Sequence, residues 1–260
     1  MTEIQKILLD IFREVDKVCR ANDITYYMGC GTMLGAVRHK GFIPWDDDID
    51  LHFPRPDYER FLTVAPSALS ENFKLLNFVE NENISGCYAK VEDMRYRISH
   101  EWTEHTKQPT HVNIDIFPVD GVANKSIIRK LHDKYYNFLK GLANYLFQNA
   151  ENRPFAKKVI AKTLQCLLPL KRVKFLEYMD KLHQRYAFDK SKYVSRPLGS
   201  CGINNIVLRQ VYGKPTEYIF ENQVFFGVEK CDDYLRTLYG DYMKLPPENK
   251  RVSHGYVLQS

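Results

Sequence analysis

Four aspartates lie within the five residues 46–50, where the sequence reads Asp-Asp-Asp-Ile-Asp. In an extended strand, Asp46, Asp48 and Asp50 would project from one face while Ile49 points to the other. Three neighbouring carboxylates raise one another's pKa and destabilise the strand unless a cation compensates their charge. Carboxylate oxygens suit hard divalent ions, so the segment predicts a Mg²⁺ site, with Mn²⁺ as the alternative ion.

A solvated turn or a calcium loop could also produce such an acidic segment. Charged runs are often solvated, but the residues around these acids are too apolar for a free loop: Phe42, Ile43, Trp45, Ile49, Leu51 and Phe53. The alternating aspartates also fit the first ligand positions of a calcium loop. However, Leu51 stands where that loop requires Gly, and Asp57 stands where it requires Glu.

A glycine-containing segment precedes the acids. Residues 24–28 have the β-branched and aromatic character of a strand, and residues 29–32, Gly-Cys-Gly-Thr, lead into a short helix predicted over 33–38. Glycines allow backbone N–H groups to approach a phosphate, and a helix N-terminus adds positive potential. Gly31 and Thr32 are therefore candidate phosphate-binding residues.

Four basic residues are candidate partners for phosphate oxygens. Arg38, His39 and Lys40 lie at the C-terminal end of the predicted helix, where their charges would either contact phosphate or complement the helix dipole. Lys90 alternates with Val91 in a strand-like run. A lysine on a central strand is uncommon unless it meets an anion, so Lys90 is the preferred phosphate partner.

The order of these elements, a strand, a glycine turn, a short helix and a strand with Asp-hydrophobic-Asp, is typical of nucleotidyltransferase active sites. In detail the chain closely resembles the LicD family, which includes fukutin-related proteins, from about residue 24 to residue 254. The resemblance is carried by residues 31–50 with Arg55, Asp57 and Tyr58, by residues 113–120, and by residues 239–247 with Arg251 and His254.

This resemblance implies a fold and a domain organisation. We expect an α+β (mixed α/β) fold with a nucleotidyltransferase-like mixed sheet and an added helical block. Residues 1–260 would form a single domain of the LicD type. Within it, residues 22–120 would hold the core and the metal site, residues 121–190 the helical block, and residues 191–260 the C-terminal strands and helix that complete the site.

The resemblance also implies an activity. Members of the family move a phosphorylated alcohol, commonly phosphocholine, from a cytidine diphosphate (CDP) donor to a hydroxyl of a cell-surface glycan, such as teichoic acid, lipopolysaccharide or a capsule precursor. A diphosphate donor needs its charge neutralised, which Mg²⁺ can do by bridging phosphate oxygens. Phosphoribitol, phosphoethanolamine or nucleotidyl transfer on the same fold stay open, as does a non-enzymatic protein that binds nucleotides or glycans.

Four acids are the expected metal ligands of such an enzyme. Asp48 and Asp50 are the first choice, followed by Asp46. Asp115 would complete the site from a neighbouring strand, either as a ligand or as the base that accepts the proton of the attacking hydroxyl. Asp48, Asp50 and Asp115 form the expected catalytic set. A choline group would favour an aromatic cage, and the candidates are Tyr26, Tyr27, Trp45, Tyr88, Trp102 and Tyr242.

Composition and charge are consistent with this expectation. The net charge of +5 and the pI of about 8.7 suit a polyanionic glycan and are too small an excess to indicate nucleic acid. Six cysteines without paired spacing, after a polar N-terminus, predict reduced thiols in the cytoplasm. A structural zinc stays open, although the spacing of His100, His105 and His111 matches no standard ligand pattern.

Two helical regions stand out. The first is predicted over 2–21, with Thr2 and Gln5 as a capping box. The second lies in residues 155–174, where lysines surround apolar positions. Such a helix either packs on the core with solvated lysines or lies on an anionic membrane surface, which would place the protein peripherally at the inner face of the membrane. The sequence contains no run of about 20 apolar residues that could cross a bilayer.

Overall fold

The computed structural model describes residues 1–84, 86–99, 109–147, 158–160, 162–163, 171–196, 206–253 and 255–259. Its helices are α1 (Glu3–Ala21), α2 (Cys30–Arg38), α3 (Arg55–Ala68), α4 (Ser126–Phe147), α5 (Arg172–His183) and α6 (Cys231–Tyr239). Its strands are β1 (Tyr27–Met28), β2 (Asp50–Pro54), β3 (Phe73–Asn77), β4 (Ala89–Ser99), β5 (Thr110–Val122), β6 (Tyr193–Ser195), β7 (Val207–Leu208), β8 (Thr216–Phe220), β9 (Gln223–Gly227) and β10 (Val257–Leu258). Residues 158–160 and 162–163 are also helical. The predicted mixed α+β class is confirmed.

Helix α1 follows the sequence prediction closely. Thr2 and Gln5 form the expected capping box, with Thr2 Oγ1 accepting from the Gln5 N–H at 3.1 Å and Gln5 Oε1 accepting from the Thr2 N–H at 2.8 Å. The Gln5 side chain also donates to the carbonyl oxygen of Asp46 at 2.8 Å. The first turn of α1 is therefore attached to the acidic segment.

The central sheet is mixed and has two buried faces. In the described residues, eight strands form this sheet, with β1, β2, β5, β4 and β10 side by side, β3 also on β4, and β6 and β7 extending from β5. Strands β2 and β5 are parallel. Side chains alternate across a strand, so Ile116 packs into the core shared with α1 and α3, while Phe117 packs with Tyr88 and residues of α4 and α5.

A buried ion pair joins three elements of this core. Arg55, at the start of α3, donates from Nε to Asp120 Oδ1 at 2.8 Å and from Nη2 to Asp120 Oδ2 at 2.5 Å. Its Nη2 also lies 3.0 Å from Asp180 of α5. Arg55 belongs to the run that resembles the LicD signature, and the structure gives it a packing role between α3, β5 and α5.

Several element boundaries differ from the sequence predictions. Helix α2 begins at Cys30, so Gly31 and Thr32 lie in its first turn rather than before it. Strands β8 and β9 form a hairpin that turns at Glu221 and Asn222. Both turn residues have positive φ, 49° and 58°. Glu221 is not a typical residue for such a turn, but its carboxylate accepts a hydrogen bond from the Phe42 N–H at 3.0 Å, which holds it there.

No helix in the described ranges is both long enough and apolar enough to span a bilayer.

Candidate active site

Three charged side chains form a row across the sheet. Asp50 on β2 pairs with Asp115 on β5, and Asp115 pairs with Lys90 on β4. Paired residues on adjacent strands project from the same face. Lys90 Nζ lies 2.7 Å from Asp115 Oδ1 and donates to Asn113 Oδ1, also at 2.7 Å. The sequence prediction placed Asp50, Asp115 and Lys90 in one site, and the structure brings them together.

Asp46 and Asp48 approach this row from a loop. The expectation that both lie in a strand with Asp50 is wrong, because β2 begins at Asp50. The backbone of Asp46 is occupied elsewhere: its N–H donates to Ile43 at 2.9 Å in a turn, and its carbonyl accepts from Gln5. The side chain of Asp46 nonetheless forms a hydrogen bond with Asp48, and the charge of Asp48 acts on Asp50.

Burial and mutual repulsion raise the pKa of two of these acids, Asp50 and Asp46. Burial raises the pKa of Asp50 to about 7, and the charges of Asp48 and Asp115 add to the rise, while Arg196 opposes it. Burial likewise raises the pKa of Asp46 to about 6, together with the charges of its aspartate neighbours, although its hydrogen bond with Asp48 lowers it. A cluster of this kind attracts a cation, since the cation stabilises the charged form of every member.

The start of α2 holds the acids in position. The Thr32 hydroxyl accepts a hydrogen bond from the Asp50 N–H at 2.9 Å. A Cβ atom added at Gly31 would lie 2.8 Å from Asp46 Oδ2, closer than real Cβ contacts, so only glycine leaves room for this carboxylate. Gly31 and Thr32 were predicted to bind phosphate. In the structure both contact the acidic residues, and a phosphate contact stays a prediction.

A buried polar network lies beneath Asp50. His52 on β2 has its Nδ1 2.9 Å from the Tyr212 hydroxyl and 3.4 Å from the Tyr234 hydroxyl, and its Nε2 3.8 Å from the Cys30 thiol. The thiol in turn forms a hydrogen bond with Asp50. Burial, with the charge of nearby Arg196, holds the pKa of His52 well below its usual value. The imidazole is therefore neutral, and the network connects α6 to the acid on β2.

Of the three basic residues, Arg38 ends α2 and contacts the C-terminal segment, and His39 and Lys40 follow it. Arg38 donates to the Tyr242 carbonyl at 2.7 Å and to His39 Nε2 at 2.9 Å. The His39 ring lies 6.3 Å from the Trp45 ring, and burial followed by the Arg38 charge lowers its pKa. Lys40 is exposed, with a φ of 62°. Their contact with phosphate stays a prediction.

The C-terminal segment reaches the same region. The Arg251 guanidinium lies 5.4 Å from the centre of the Trp45 ring. Strand β10 pairs with β4. Tyr256, the residue before β10, has its pKa raised by burial and by the charges of Asp115 and Asp48, while Lys90 opposes the rise. Residues far apart in the sequence thus surround the acids. His254, part of the second sequence match, lies outside the described residues.

Sequence reasoning missed Arg196 and Tyr256. Arg196 Nη1 lies 3.5 Å from Asp50 Oδ2, and its guanidinium carbon lies 5.0 Å from the Phe117 ring centre. The only sequence signal is that Arg196 directly follows the short run Tyr193–Ser195, which gives no indication of pairing with a residue 146 positions away. Tyr256 carried no signal, since it is one of 17 tyrosines.

Comparison with known proteins shows the family to which this chain belongs. Residues 23–161 match the family model described as the nucleotidyltransferase domain of LicD/FKTN/FKRP. The chain is 32% identical to the lipopolysaccharide cholinephosphotransferase LicD of Haemophilus influenzae, over 98% of this chain and 95% of that protein. The chain belongs to the LicD/FKTN/FKRP family. It is accordingly an enzyme of the phosphotransferase class.

Two further relatives in Rickettsia share parts of this LicD-type chain. An uncharacterized protein of Rickettsia typhi is 37% identical over 23% of this chain and 19% of its own length. An uncharacterized protein of Rickettsia prowazekii is 28% identical over 49% of this chain and 40% of its own length. Neither name adds information about activity, so the functional comparison rests on the protein of Haemophilus influenzae.

The carboxylates at this LicD-type site have the donor atoms that a magnesium ion would need. Among the described residues, no three or more His, Cys, Asp and Glu side chains form a ready-made metal cage. Mg²⁺ is usually held by one or two carboxylates, with water and substrate phosphates as its other ligands. Asp50 and Asp48 meet that requirement. Asp115 Oδ1 has Lys90 Nζ at 2.7 Å, but it accepts no hydrogen bond of good geometry from the residues that the structure describes. The residues therefore fit a metal ion that shares its coordination with a diphosphate.

The aromatic candidates for a choline cage divide into two groups. Tyr26 and Tyr27 are buried in the core, where their hydroxyls donate to Asp16 at 2.5 Å and to the Gly213 carbonyl at 2.7 Å, so neither can form a cage. Trp102 lies outside the described residues. Tyr88 lies beside the charged row, with Lys90 Nζ 5.7 Å from its ring centre, and Trp45 and Tyr242 lie near the basic residues after α2.

The zinc and thiol predictions are tested only in part. His111, at 3.1 Å from Glu92 Oε2, is engaged in a buried pair, whereas His100 and His105 lie outside the described residues. Cys19, Cys87 and Cys231 are not joined in disulfides. Cys166 and Cys201 lie outside the described residues.

Proposed function

We propose that this protein is a Mg²⁺-dependent phosphocholine transferase, with Mn²⁺ as an alternative ion. It moves phosphocholine from CDP-choline to a hydroxyl of a cell-envelope glycan that is carried on a lipid. The proposal is supported by the similarity, over nearly the whole chain, to a lipopolysaccharide cholinephosphotransferase. The observation that carries the chemistry is the pairing of Asp50 with Asp115 across adjacent strands, with Asp48 beside them.

Each acid has a separate role in this proposal. Asp48 and Asp50, with Asp46, would hold the ion and through it the diphosphate of the donor. When bound, the ion neutralises phosphate charge and stabilises the leaving nucleotide. Arg196, at 3.5 Å from Asp50, adds positive charge beside the leaving group. Gly31 and Thr32 keep the acids in place.

Asp115 would act as the base. The acceptor hydroxyl oxygen attacks the choline-bearing phosphorus and forms a new P–O bond, while the P–O bond to the cytidine monophosphate group breaks. The hydroxyl proton passes to Asp115, and cytidine monophosphate leaves with the electron pair of the broken bond. Lys90, 2.7 Å from Asp115 Oδ1, orients the carboxylate. Burial alone would lower the pKa of Lys90, but Asp115 and two tyrosines outweigh it and raise this pKa, so the lysine stays charged.

A transfer assay tests the proposal. The full chain is incubated with CDP-choline, Mg²⁺ and lipopolysaccharide, and both phosphocholine on the glycan and free cytidine monophosphate are measured by mass spectrometry. We expect the two products in equal amounts, lost without the metal and in Asp50→Asn. Asp10→Asn, on the exposed side of α1, is the matched control and should keep full activity.

The same assay separates the alternative functions. Transfer only from CDP-ribitol or CDP-ethanolamine would change the donor and leave the chemistry intact. Cytidine monophosphate retained on the acceptor would indicate nucleotidyl transfer. Tight nucleotide binding with no product from any donor would show a non-enzymatic binding protein and would contradict the proposal.

A further inference from the structure

The outer face of α4 exposes a continuous apolar surface. Ile127, Leu131 and Phe138 are 70%, 61% and 65% exposed, and their spacing of four and seven residues places them on one side of the helix. Tyr135, 43% exposed, lies beside them. Clustered exposed side chains of this size on a helix usually mark a binding surface, whereas single ones are ordinary. We refer to these four residues as the α4 face.

Two lysines border the α4 face, and the segment of the sequence that contains it is strongly basic. Lys130 and Lys134 border it on the helix and are themselves exposed. Residues 121–190 contain fifteen Lys and Arg against five Asp and Glu, a net charge of +10, although the whole chain carries only +5. The remainder of the chain is therefore net negative. A helix with an apolar face bordered by lysines is typical of peptides that lie in the interface of an anionic membrane.

On another side of α4, Lys140 lies close enough to Arg196 to feel its charge. Lys140 follows Phe138 by two residues, which places it roughly 200° around the helix. Burial and then the charge of Arg196 lower the pKa of Lys140, so the lysine lies near the arginine that contacts Asp50. One helix thus carries the apolar face on its outer side and a lysine near Arg196 on another side.

We propose that the α4 face docks the protein on an anionic membrane surface, with Ile127, Leu131 and Phe138 inserted among the lipid headgroups. This inference deepens the proposed function and rests on it, because a lipid-carried acceptor would lie at the same surface. A second copy of the chain is disfavoured at the α4 face, because residues 121–190 carry a net charge of +10 in each copy and would repel each other across the contact. Residues 155–174, the membrane contact expected from the sequence, expose Val159 and Ile160 between Lys158 and Lys162 in their described part.

Vesicle flotation of the full chain tests this docking. Vesicles of phosphatidylcholine alone are compared with vesicles that also contain phosphatidylglycerol. We expect binding only to the anionic vesicles, weakened by added salt, and reduced at least about tenfold in Leu131→Glu with Phe138→Glu. The matched control is Ile219→Glu with Val224→Glu, because these residues of the β8–β9 hairpin are 54% and 46% exposed and lie outside the α4 face. It should bind as the wild type does.

The outcomes distinguish docking from catalysis. Unchanged flotation of the α4 variant, or equal binding to neutral vesicles, would overturn the docking proposal. Sedimentation that shows a dimer lost in the α4 variant would also overturn it, in favour of a second copy. Docking that persists in a protein without transfer from any CDP donor would leave the surface in place and reject the proposed function. Both variants are first checked for an unchanged melting temperature.

Discussion

Asp50 and Asp115 occupy paired positions on the parallel strands β2 and β5, at the point where Lys90 on β4 meets Asp115 at 2.7 Å. Their relative position is therefore fixed by backbone hydrogen bonds, including the Asp115 N–H to the Ile49 carbonyl at 2.9 Å. Asp46 and Asp48, in contrast, belong to a loop held by Gln5 and Gly31. Backbone pairing thus fixes Asp50 and Asp115, whereas the positions of Asp46 and Asp48 depend on contacts with neighbouring residues.

Neutral substitutions of Asp115 and Asp50 should affect the reaction in different ways. Asp115→Asn removes the proposed base, so we expect kcat to fall by about 10²–10⁴ while CDP-choline still binds with Mg²⁺. Asp50→Asn removes a proposed metal ligand and should weaken donor binding as well. Steady-state kinetics and calorimetric titration separate the two effects. Equal loss of donor affinity in both variants would show that Asp115 is a ligand instead of the base.

Gly31→Ala should reduce activity without unfolding the protein. The new methyl group would stand 2.8 Å from Asp46 Oδ2 and displace that carboxylate. We expect activity to fall at least about tenfold, while the free energy of unfolding changes by less than about 1 kcal/mol because alanine favours the helix.

Gly141→Ala is the matched control for this substitution. Gly141 lies within α4 and has open space around its Cβ position, so the variant should be more stable by roughly 0.5–1 kcal/mol and fully active. Thermal melts and the transfer assay measure both quantities. Full activity in Gly31→Ala would mean that the position of Asp46 does not matter for catalysis.

Arg55→Ala should destabilise the fold strongly. It leaves Asp120, whose side chain is 1% exposed, as a buried acid without its partner, and we expect a loss of about 3–5 kcal/mol in urea unfolding. Arg60→Ala is the control, because Arg60 is 52% exposed and, among the described residues, pairs with Asp57 at 3.5 Å and with backbone carbonyls. Its cost should be below about 1 kcal/mol. Similar losses in both variants would contradict the packing role of Arg55.

Much of the scaffold could be predicted because its signals are local. The helical period and the capping pair define α1, and the alternation around Asp115 marks β5 as a strand with Ile114 and Ile116 on its core face. Asp50 and Lys90 could be assigned to the same site for a similar reason, since each is a charged residue with apolar neighbours in the sequence, Ile49 and Leu51 for Asp50 and Ala89 and Val91 for Lys90.

The remaining site features depend on contacts between distant residues. Asp46 lies outside β2 because its N–H donates to the Ile43 carbonyl in a turn and its carbonyl accepts from Gln5. Glu221 adopts a turn conformation because its carboxylate accepts a hydrogen bond from the Phe42 N–H. Arg196 reaches Asp50 only when β6 pairs with β5. No local pattern encodes these partners, so the sequence alone could not indicate them.

Acid should destabilise the protein through His183. Burial, followed by the charges of His132 and Arg55, lowers the pKa of His183 to about 3 from a usual value near 6.5. Between these two pKa values, His183 therefore binds a proton in the unfolded chain but not in the folded chain. The stabilisation is complete above the unfolded pKa and is lost as the pH falls from about 6.5 towards 3.

Urea unfolding at two pH values measures this contribution. Between pH 7 and pH 5, His183 alone should cost about 2 kcal/mol of unfolding free energy. His183→Asn should show a smaller drop by about that amount, relative to its own stability at pH 7. Parallel pH profiles for the variant and the wild type would contradict a neutral buried His183.

The most direct test of the metal-binding acids is calorimetric titration of the full chain with CDP, with and without Mg²⁺. In the wild type we expect the metal to strengthen CDP binding at least about tenfold, because Asp48 and Asp50 supply only part of its coordination and the diphosphate supplies the rest. In Asp48→Asn with Asp50→Asn that difference should disappear. CDP affinity that is the same with and without Mg²⁺ in the wild type would contradict a metal site at these acids.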